Sequence, residues 1–268
     1  MTLSDDQLER YARHIILREV GGAGQRKLLD SKVLVVGAGG LGSPILLYLA
    51  AAGVGTLGIV DDDTVALSNL QRQIVHATEA LGQAKTTSAA CTLKAINPDV
   101  EIITHNVRLT PENAEEIISG YDLVADGCDN FATRFLVNDA CYFLKKPLVS
   151  GALSQFDGQL ATFKAYAGNG LPCYRCFVAE DPGAVMNCAE AGILGAVAGV
   201  LGSWQALEVL KELIGIGESL AGRILLFEGL TARTRKIRLP RDPQCPLCGD
   251  SPRIHHIGEG LVAETSQE

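Results

Sequence analysis

Aromatic residues are scarce in this 268-residue chain, at 5% with a single Trp, so its core must rest on the Gly, Ala, Leu and Val that dominate the sequence. Positive charge is also in short supply: 23 Lys and Arg stand against 31 Asp and Glu, a net charge of -8. That balance excludes a general nucleic-acid binder, which holds phosphate backbones through clustered Lys and Arg, and leaves room only for a local basic site. An uncharged run long enough to span a bilayer is missing as well. The most apolar stretch, Gly192 to Leu213, carries Glu208, Lys211 and Glu212 at its end. A basic n-region followed by an apolar h-region is also lacking, so the expectation is a cytoplasmic chain with no membrane partner. Its eight cysteines then read as thiols or metal ligands. What is present is 47% hydrophobic residues, enough for one large α/β domain or two small ones.

The stretch Ser31 to Gly42, SKVLVVGAGGLG, organises the rest. Val33 to Val36 are too uniformly apolar for a strand with a wet face, which places them in a covered parallel sheet. Gly37, Gly39 and Gly42 then fit G-x-G-x-x-G, a loop whose backbone N–H groups approach a phosphate at a helix N-terminus. Alternating elements follow: a small-residue helix Ser43 to Ala52 ended by Gly53, a strand Thr56 to Val60, a helix opening at Lys85, and a strand Glu101 to Asn106. A helix Pro111 to Ser119, a strand Asp122 to Ala125, a helix Phe131 to Lys146 and a strand Pro147 to Gly151 complete the run. The pattern predicts a Rossmann-like, doubly wound, mainly parallel sheet. Beyond Gly151, Gln159 to Ala165, Arg223 to Glu228 and Thr234 to Leu239 lack crossover helices and are expected to extend the sheet antiparallel. Ahead of the first strand, Leu3 to Val20 predicts one helix over the domain, broken by the GGAG at Gly21. The small residues Gly195, Ala198, Gly199 and Gly202 suggest close helix packing inside a dimer.

Several residues carry potential chemistry. Asp61, first after the second strand and about twenty positions past the glycines, is placed to hold ribose hydroxyls, the alternative being a helix cap or acidic turn. The polar stretch Leu67 to His76 lies on the ligand side of the sheet. In it Arg72 is a candidate phosphate contact by its loop position; Lys85 is another, because it opens a helix after Gly82, where a cation is electrostatically misplaced unless an anion is near. Arg13 lies outside the sheet and has weaker support. Asp129, in DGCDN, would repel a triphosphate unless magnesium bridged them; it or Asn130 also suits the cap of the following helix. Cys173/Cys176 and Cys245/Cys248 are two CxxC pairs with the spacing of zinc knuckles that together complete a structural four-thiolate site, against the alternative of a redox dithiol. Cys188 stands just before the apolar helix, where the dipole favours thiolate; it reads equally as a half-buried core cysteine, as Cys91, Cys128 and Cys141 do.

With GAGGLG, DDDTVALSNLQRQ, the Gly82 to Lys85 stretch, DGCDN, CYRC and CPLCG in this order, the chain resembles the MoeB/ThiF adenylyltransferases, bacterial relatives of the ubiquitin-activating enzymes. The resemblance runs from about Leu8 to Gly249. It implies ATP-dependent adenylation of the C-terminal Gly-Gly carboxylate of a ubiquitin-like sulfur-carrier protein, in molybdopterin cofactor biosynthesis or alternatively the thiamin pathway. It further implies a nucleotide site drawn from Gly37, Gly39, Gly40, Gly42, Asp61, Asp63, Ser68, Asn69, Leu70, Gln71, Arg72, Lys85, Asp129 and Asn130. Arg72, Lys85 and Asp129, the last holding magnesium, would act in catalysis, together with Arg13 reaching into a neighbouring subunit of a homodimer. The four CxxC cysteines match zinc ligands, and Cys188 matches a position near which some members link covalently to their carrier. On this reading residues 1–250 form one adenylation domain: a helical arm 1–30, a nucleotide-binding half 31–151 and a carrier-binding half 152–250, with a loose tail over 251–268. No rhodanese-like segment follows Gly249, so a separate sulfur donor is expected. Two rivals remain. A dinucleotide-dependent oxidoreductase would use the glycine loop and Asp61 equally well but has no role for Arg72, Asp129 or the knuckles. A non-catalytic adaptor would not need Arg72, Lys85 and Asp129 intact.

Overall fold

Val33 to Val36 are each at most 3% exposed, as a strand covered on both faces requires. Successive side chains feed opposite layers: Val33 and Val35 join one apolar cluster, Leu34 and Val36 the other. In the computed structural model, which describes residues 3–179 and 192–261, this strand is β1, Lys32–Val36. The other described strands are β2 Thr56–Val60, β3 Glu101–His105, β4 Leu123–Asp126, β5 Leu148–Ser154, β6 Asp157–Phe163, β7 Arg223–Glu228 and β8 Arg233–Arg238. They form one sheet in the order β3-β2-β1-β4-β5-β6-β7-β8. Pairings from β3 to β5 are parallel, and those of β6, β7 and β8 are antiparallel. The expected parallel sheet with an antiparallel extension is therefore found.

The helices are α1 Asp5–Arg10, α2 Ala12–Ile15, α3 Gly21–Asp30, α4 Gly42–Ala52, α5 Lys85–Ile96, α6 Pro111–Ser119, α7 Phe131–Phe143 and α8 Gly195–Ile214. Residues of α4, α5 and α8 enter the first core cluster, and those of α6 and α7 the second. The single N-terminal helix expected from periodicity is instead α1 and α2, and GGAG opens α3 rather than ending helical structure. The reason is tertiary. A Cβ on Gly24 would sit 3.1 Å from side-chain atoms of both Val20 and Ile214, so the glycine lets α3 close onto the end of α8.

The small residues of α8 serve the chain's own packing. A Cβ on Gly202 would strike Pro44 and lie 2.7 Å from the Leu41 carbonyl, and one on Gly195 would strike the Gln71 carbonyl. Ala198 is fully buried. Gly195, Ala198 and Gly202 thus bring α8 against α4 and the Gln71 turn, which corrects the expectation that this stripe packs inside a dimer. Gly199 alone has open space beside it. The segment after Gly249 is also better packed than expected as far as residue 261. Ile254 is 6% exposed and accompanies the four cysteines, while Ile257 and Leu261 pack on the second core. Among the described residues no helix is long and apolar enough to cross a membrane.

Gly53 ends α4 with φ +79°, a left-handed conformation that suits glycine. A Cβ there would also run into the ring of Tyr11, which is 2% exposed and whose hydroxyl accepts from Asn97 Nδ2 at 2.9 Å. Gly53→Ala is therefore expected to cost about 3 kcal/mol of stability through backbone strain and displacement of Tyr11. Thermal melting checks this, and an unchanged transition would show that α1 and α2 yield freely.

Candidate active site

The parallel register sets the site. Val36 of β1 pairs with Val60 of β2 and with Asp126 of β4, so the loops after these three strands leave the sheet side by side. Gly37 makes that closeness possible: at φ +91°, a Cβ on it would lie 3.1 Å from the Gly127 carbonyl of the β4 loop. The glycine loop, the Asp61 turn and DGCDN therefore share one edge, as expected for a ligand site at the carboxyl ends of strands.

Asp61 leaves β2 and turns back onto the glycine loop. Its Oδ2 accepts the Ala38 N–H at 2.8 Å and its Oδ1 accepts the Asp63 N–H at 2.9 Å. Burial pushes this carboxyl above the usual range, and the Lys85 charge partly offsets the effect. Each carboxylate oxygen keeps a second lone pair for a ligand hydroxyl. Lys85 is 5% exposed, and its Nζ forms an ion pair with Asp63 Oδ2 at 2.8 Å. The anion required beside a cation at this helix start is thus supplied by the chain itself. Asp63 is the exposed member of the pair and Lys85 the buried one, its charge felt by Asp61 and His76.

Ser68, Asn69, Leu70, Gln71 and Arg72 form a tight turn, in which Asn69 Oδ1 accepts the Ala66 N–H at 3.2 Å. Arg72 Nη1 donates to the Ser68 carbonyl at 3.0 Å. The Arg72 stem runs past Gly40, with its Cγ and Cδ 3.7 Å from where a Gly40 Cβ would stand. Among the described residues no carboxylate pairs with Arg72, so a guanidinium held against the glycine loop keeps donors for an anion.

On the far side of the loop, Asn130 caps α7 by accepting the Thr133 N–H at 2.8 Å. That settles the capping alternative in favour of Asn130. Asp129 is exposed, and among the described residues nothing hydrogen-bonds its carboxylate. Arg13 is elsewhere. Its helix α2 contains His14 and follows Tyr11, which reach Gln25 and Asn97 near the carboxyl end of α4, at the opposite end of the sheet from the glycine loop. Cys188 lies outside the described residues.

Residues that sequence reasoning passed over support this edge from beneath. Asp126, 1% exposed, accepts from Ser150 Oγ at 2.7 Å and from Arg134 Nη1 at 3.2 Å. The buried Arg134 also donates to the carbonyls of Cys128 and Gly151, which fixes the DGCDN turn. An acid ending an apolar strand, with an arginine among apolar neighbours of the next helix, was the available signal. Gln205 of α8 donates to the carbonyls of Asp126 and Val149 at 2.7 and 2.9 Å. His76, 8% exposed, closes the polar stretch from below and contacts the Ala38 carbonyl at 2.9 Å.

The two CxxC pairs meet away from this edge. Cys173, Cys176, Cys245 and Cys248 bring their sulfurs together, with separations of 3.9, 3.5, 3.4 and 3.5 Å. A tetrahedral zinc with Zn–S of about 2.3 Å needs sulfur–sulfur edges of about 3.8 Å, so the donor set fits that ion. Both pairs converge on one point, whereas a redox dithiol needs only its own two thiols, which disfavours the redox alternative. Arg175 inside the first knuckle forms a buried pair with Asp139 of α7 at 2.8 Å, and Tyr174 N–H donates to Asn138 at 2.8 Å. Helix α7 therefore carries the Asp129 turn at its start and the first knuckle along its body. Of the other cysteines, Cys128 and Cys141 are buried as expected, but Cys91 is exposed on α5.

A model described as the ThiF family matches residues 11–247. The chain belongs to the ThiF family. Among its relatives, the "Sulfur carrier protein adenylyltransferase" of Thermus thermophilus is 51% identical over 256 residues, covering 94% of each chain. The "Adenylyltransferase and sulfurtransferase MOCS3" of Mus musculus is 49% identical over 258 residues, 95% of this chain and 55% of that protein. This ThiF-family chain thus spans about half the length of the mouse relative. Similar solved structures include E. coli MccB with ATP, at TM-score 0.79 and 20% identity over 90% of this chain and 73% of that one. PaaA gives TM-score 0.76 and 22% identity over 89% and 75%. Both are likenesses of fold.

Proposed function

We propose that this protein uses ATP to adenylate the C-terminal carboxylate of a ubiquitin-like sulfur-carrier protein, releasing pyrophosphate. The observation that carries the reading is Arg72: a guanidinium whose stem runs along the glycine loop, with no acidic partner among the described residues. A hydride-transferring oxidoreductase releases no pyrophosphate for that cation to neutralise. An adaptor has no need of it. The names of the Thermus and mouse relatives support the same activity.

The chemistry suits these residues. A carboxylate oxygen attacks the α-phosphorus, the bond to the bridging oxygen breaks, and pyrophosphate leaves with the electron pair. The nucleophile is already ionised, so no general base is needed. What the step requires is positive charge and N–H donors around the α-phosphate and the departing pyrophosphate. In this reading the loop N–H groups from Gly39 onward hold phosphate oxygens, Asp61 holds the ribose, and Arg72 and Lys85 neutralise the triphosphate. Asp129, exposed and unengaged among the described residues, would hold magnesium, which screens phosphate charge when bound.

We place this enzyme in a homodimer in which Arg13 completes the neighbouring subunit's site, since in its own protomer it lies at the other end of the sheet. Tyr48 of α4 and Val200 and Leu207 of α8, 55%, 43% and 53% exposed, offer an apolar face for such pairing. The molybdopterin carrier is favoured over the thiamin carrier. ATP–pyrophosphate exchange, run with each Gly-Gly carrier in turn, tests the proposal. Exchange with one carrier supports it, whereas binding of NAD without binding of ATP overturns it. Cys188→Ala is expected to leave exchange within about twofold, because adenylation involves no thiol, and lost exchange would put Cys188 in the adenylation step.

A further inference from the structure

We propose that His76 is a positioning residue that aims the phosphate-binding N–H groups of the glycine loop; the inference rests on the ATP reading of that loop. A carbonyl can only accept, so the contact between His76 Nε2 and the Ala38 carbonyl, at 2.9 Å, makes Nε2–H the donor. In the neutral ring Nδ1 must then accept, and Ser88 Oγ, 2.9 Å away on α5, supplies the proton. Burial holds the imidazole below its ordinary pKa, in keeping with that neutral tautomer.

The consequence follows from peptide geometry. In a trans peptide the carbonyl and the N–H point in opposite directions. Holding the Ala38 carbonyl inward on His76 turns the Gly39 N–H outward. The next unit is fixed in the same way, because the Gly39 carbonyl accepts from both the N–H and the Oγ of Ser43, at 2.9 and 2.7 Å. Its partner N–H, on Gly40, also faces away. Among the described residues the N–H groups of Gly39 and Gly40 donate to nothing, while the Ala38 N–H is already taken by Asp61. Two outward donors are thus presented, and His76 sets the first. Residue 39 being glycine, the Ala38–Gly39 peptide has little steric resistance to rotating; the imidazole supplies the resistance that the backbone lacks.

The test measures binding of ATP with magnesium, and of adenosine, to the full-length protein and its variants by calorimetry. His76→Leu removes the donor and is expected to weaken ATP at least about tenfold, the scale of one hydrogen bond to a charged group, while adenosine binding stays within about twofold. His76→Gln, which keeps an N–H donor near the Nε2 position, is expected to recover most of the ATP affinity. Unchanged ATP affinity in a folded His76→Leu protein, or an equal loss for ATP and adenosine, would overturn the inference. If His76→Leu does not fold, His76→Gln is compared with the shorter His76→Asn: ATP affinity kept in the first and lost in the second supports the role, and equal affinities overturn it. If the unaltered protein binds no ATP, the reading of the site fails, which is distinct from His76 failing in a protein that does bind it.

Discussion

Arg72→Ala is expected to slow adenylate formation by at least about 10³-fold, the scale of arginines that stabilise phosphoryl-transfer transition states. That is about 4 kcal/mol of activation free energy. The structure makes this a clean experiment. Arg72 donates to the Ser68 carbonyl and pairs with no acid among the described residues, so truncation strands no buried charge and the melting temperature should move by no more than about 2 °C. Lys85→Ala is less clean, since it also releases Asp63. Pyrophosphate exchange reads the Arg72 effect, and a loss of less than about tenfold would return Arg72 to the status of an ordinary surface residue.

Removing metal from the four-cysteine site is expected to lower the melting temperature by roughly 10 °C or more, since structural zinc contributes folding free energy directly. ATP affinity should hold until unfolding begins, because the knuckles lie away from the nucleotide edge. The drop should fall short of complete unfolding, because the Arg175–Asp139 pair and the Tyr174–Asn138 hydrogen bond tie the first knuckle to α7 without using a thiolate. Chelation followed by metal analysis and melting decides the matter. A confirmed metal-free protein with an unaltered transition would remove the structural role.

How far the sequence speaks depends on whether the signal is local. β2 lies at its expected bounds, Thr56–Val60, and Gly53 ends α4, because apolar runs and left-handed glycines are properties of short segments. The CxxC spacing likewise carried its own geometry. Signals that depend on what lies across the fold were misread or missed. GGAG looked like a break because the contact that rewards Gly24 comes from Ile214, far along the chain. The small residues of α8 suggest a dimer surface in the sequence, whereas Gly202 packs on Leu41 and Pro44 of the same chain. The partner of Lys85 proved to be Asp63 from the preceding loop. The sequence offers no signal for His76, because the partner of its Nε2 is a backbone carbonyl, and a carbonyl leaves no mark in a sequence.

The distance along the chain between the two knuckles has a consequence for biosynthesis. Cys173 and Cys245 are 72 positions apart, and at about 5–20 residues per second the second pair is made roughly 4–14 s after the first. Until then a nascent chain can offer a zinc ion only two of its four thiolates. Between the pairs lie α8, β7 and β8, the elements that cover one face of the nucleotide half and finish the sheet. Full coordination must await their synthesis and gains from their docking, which brings the ends of that long loop together and lessens the entropy lost in closing it.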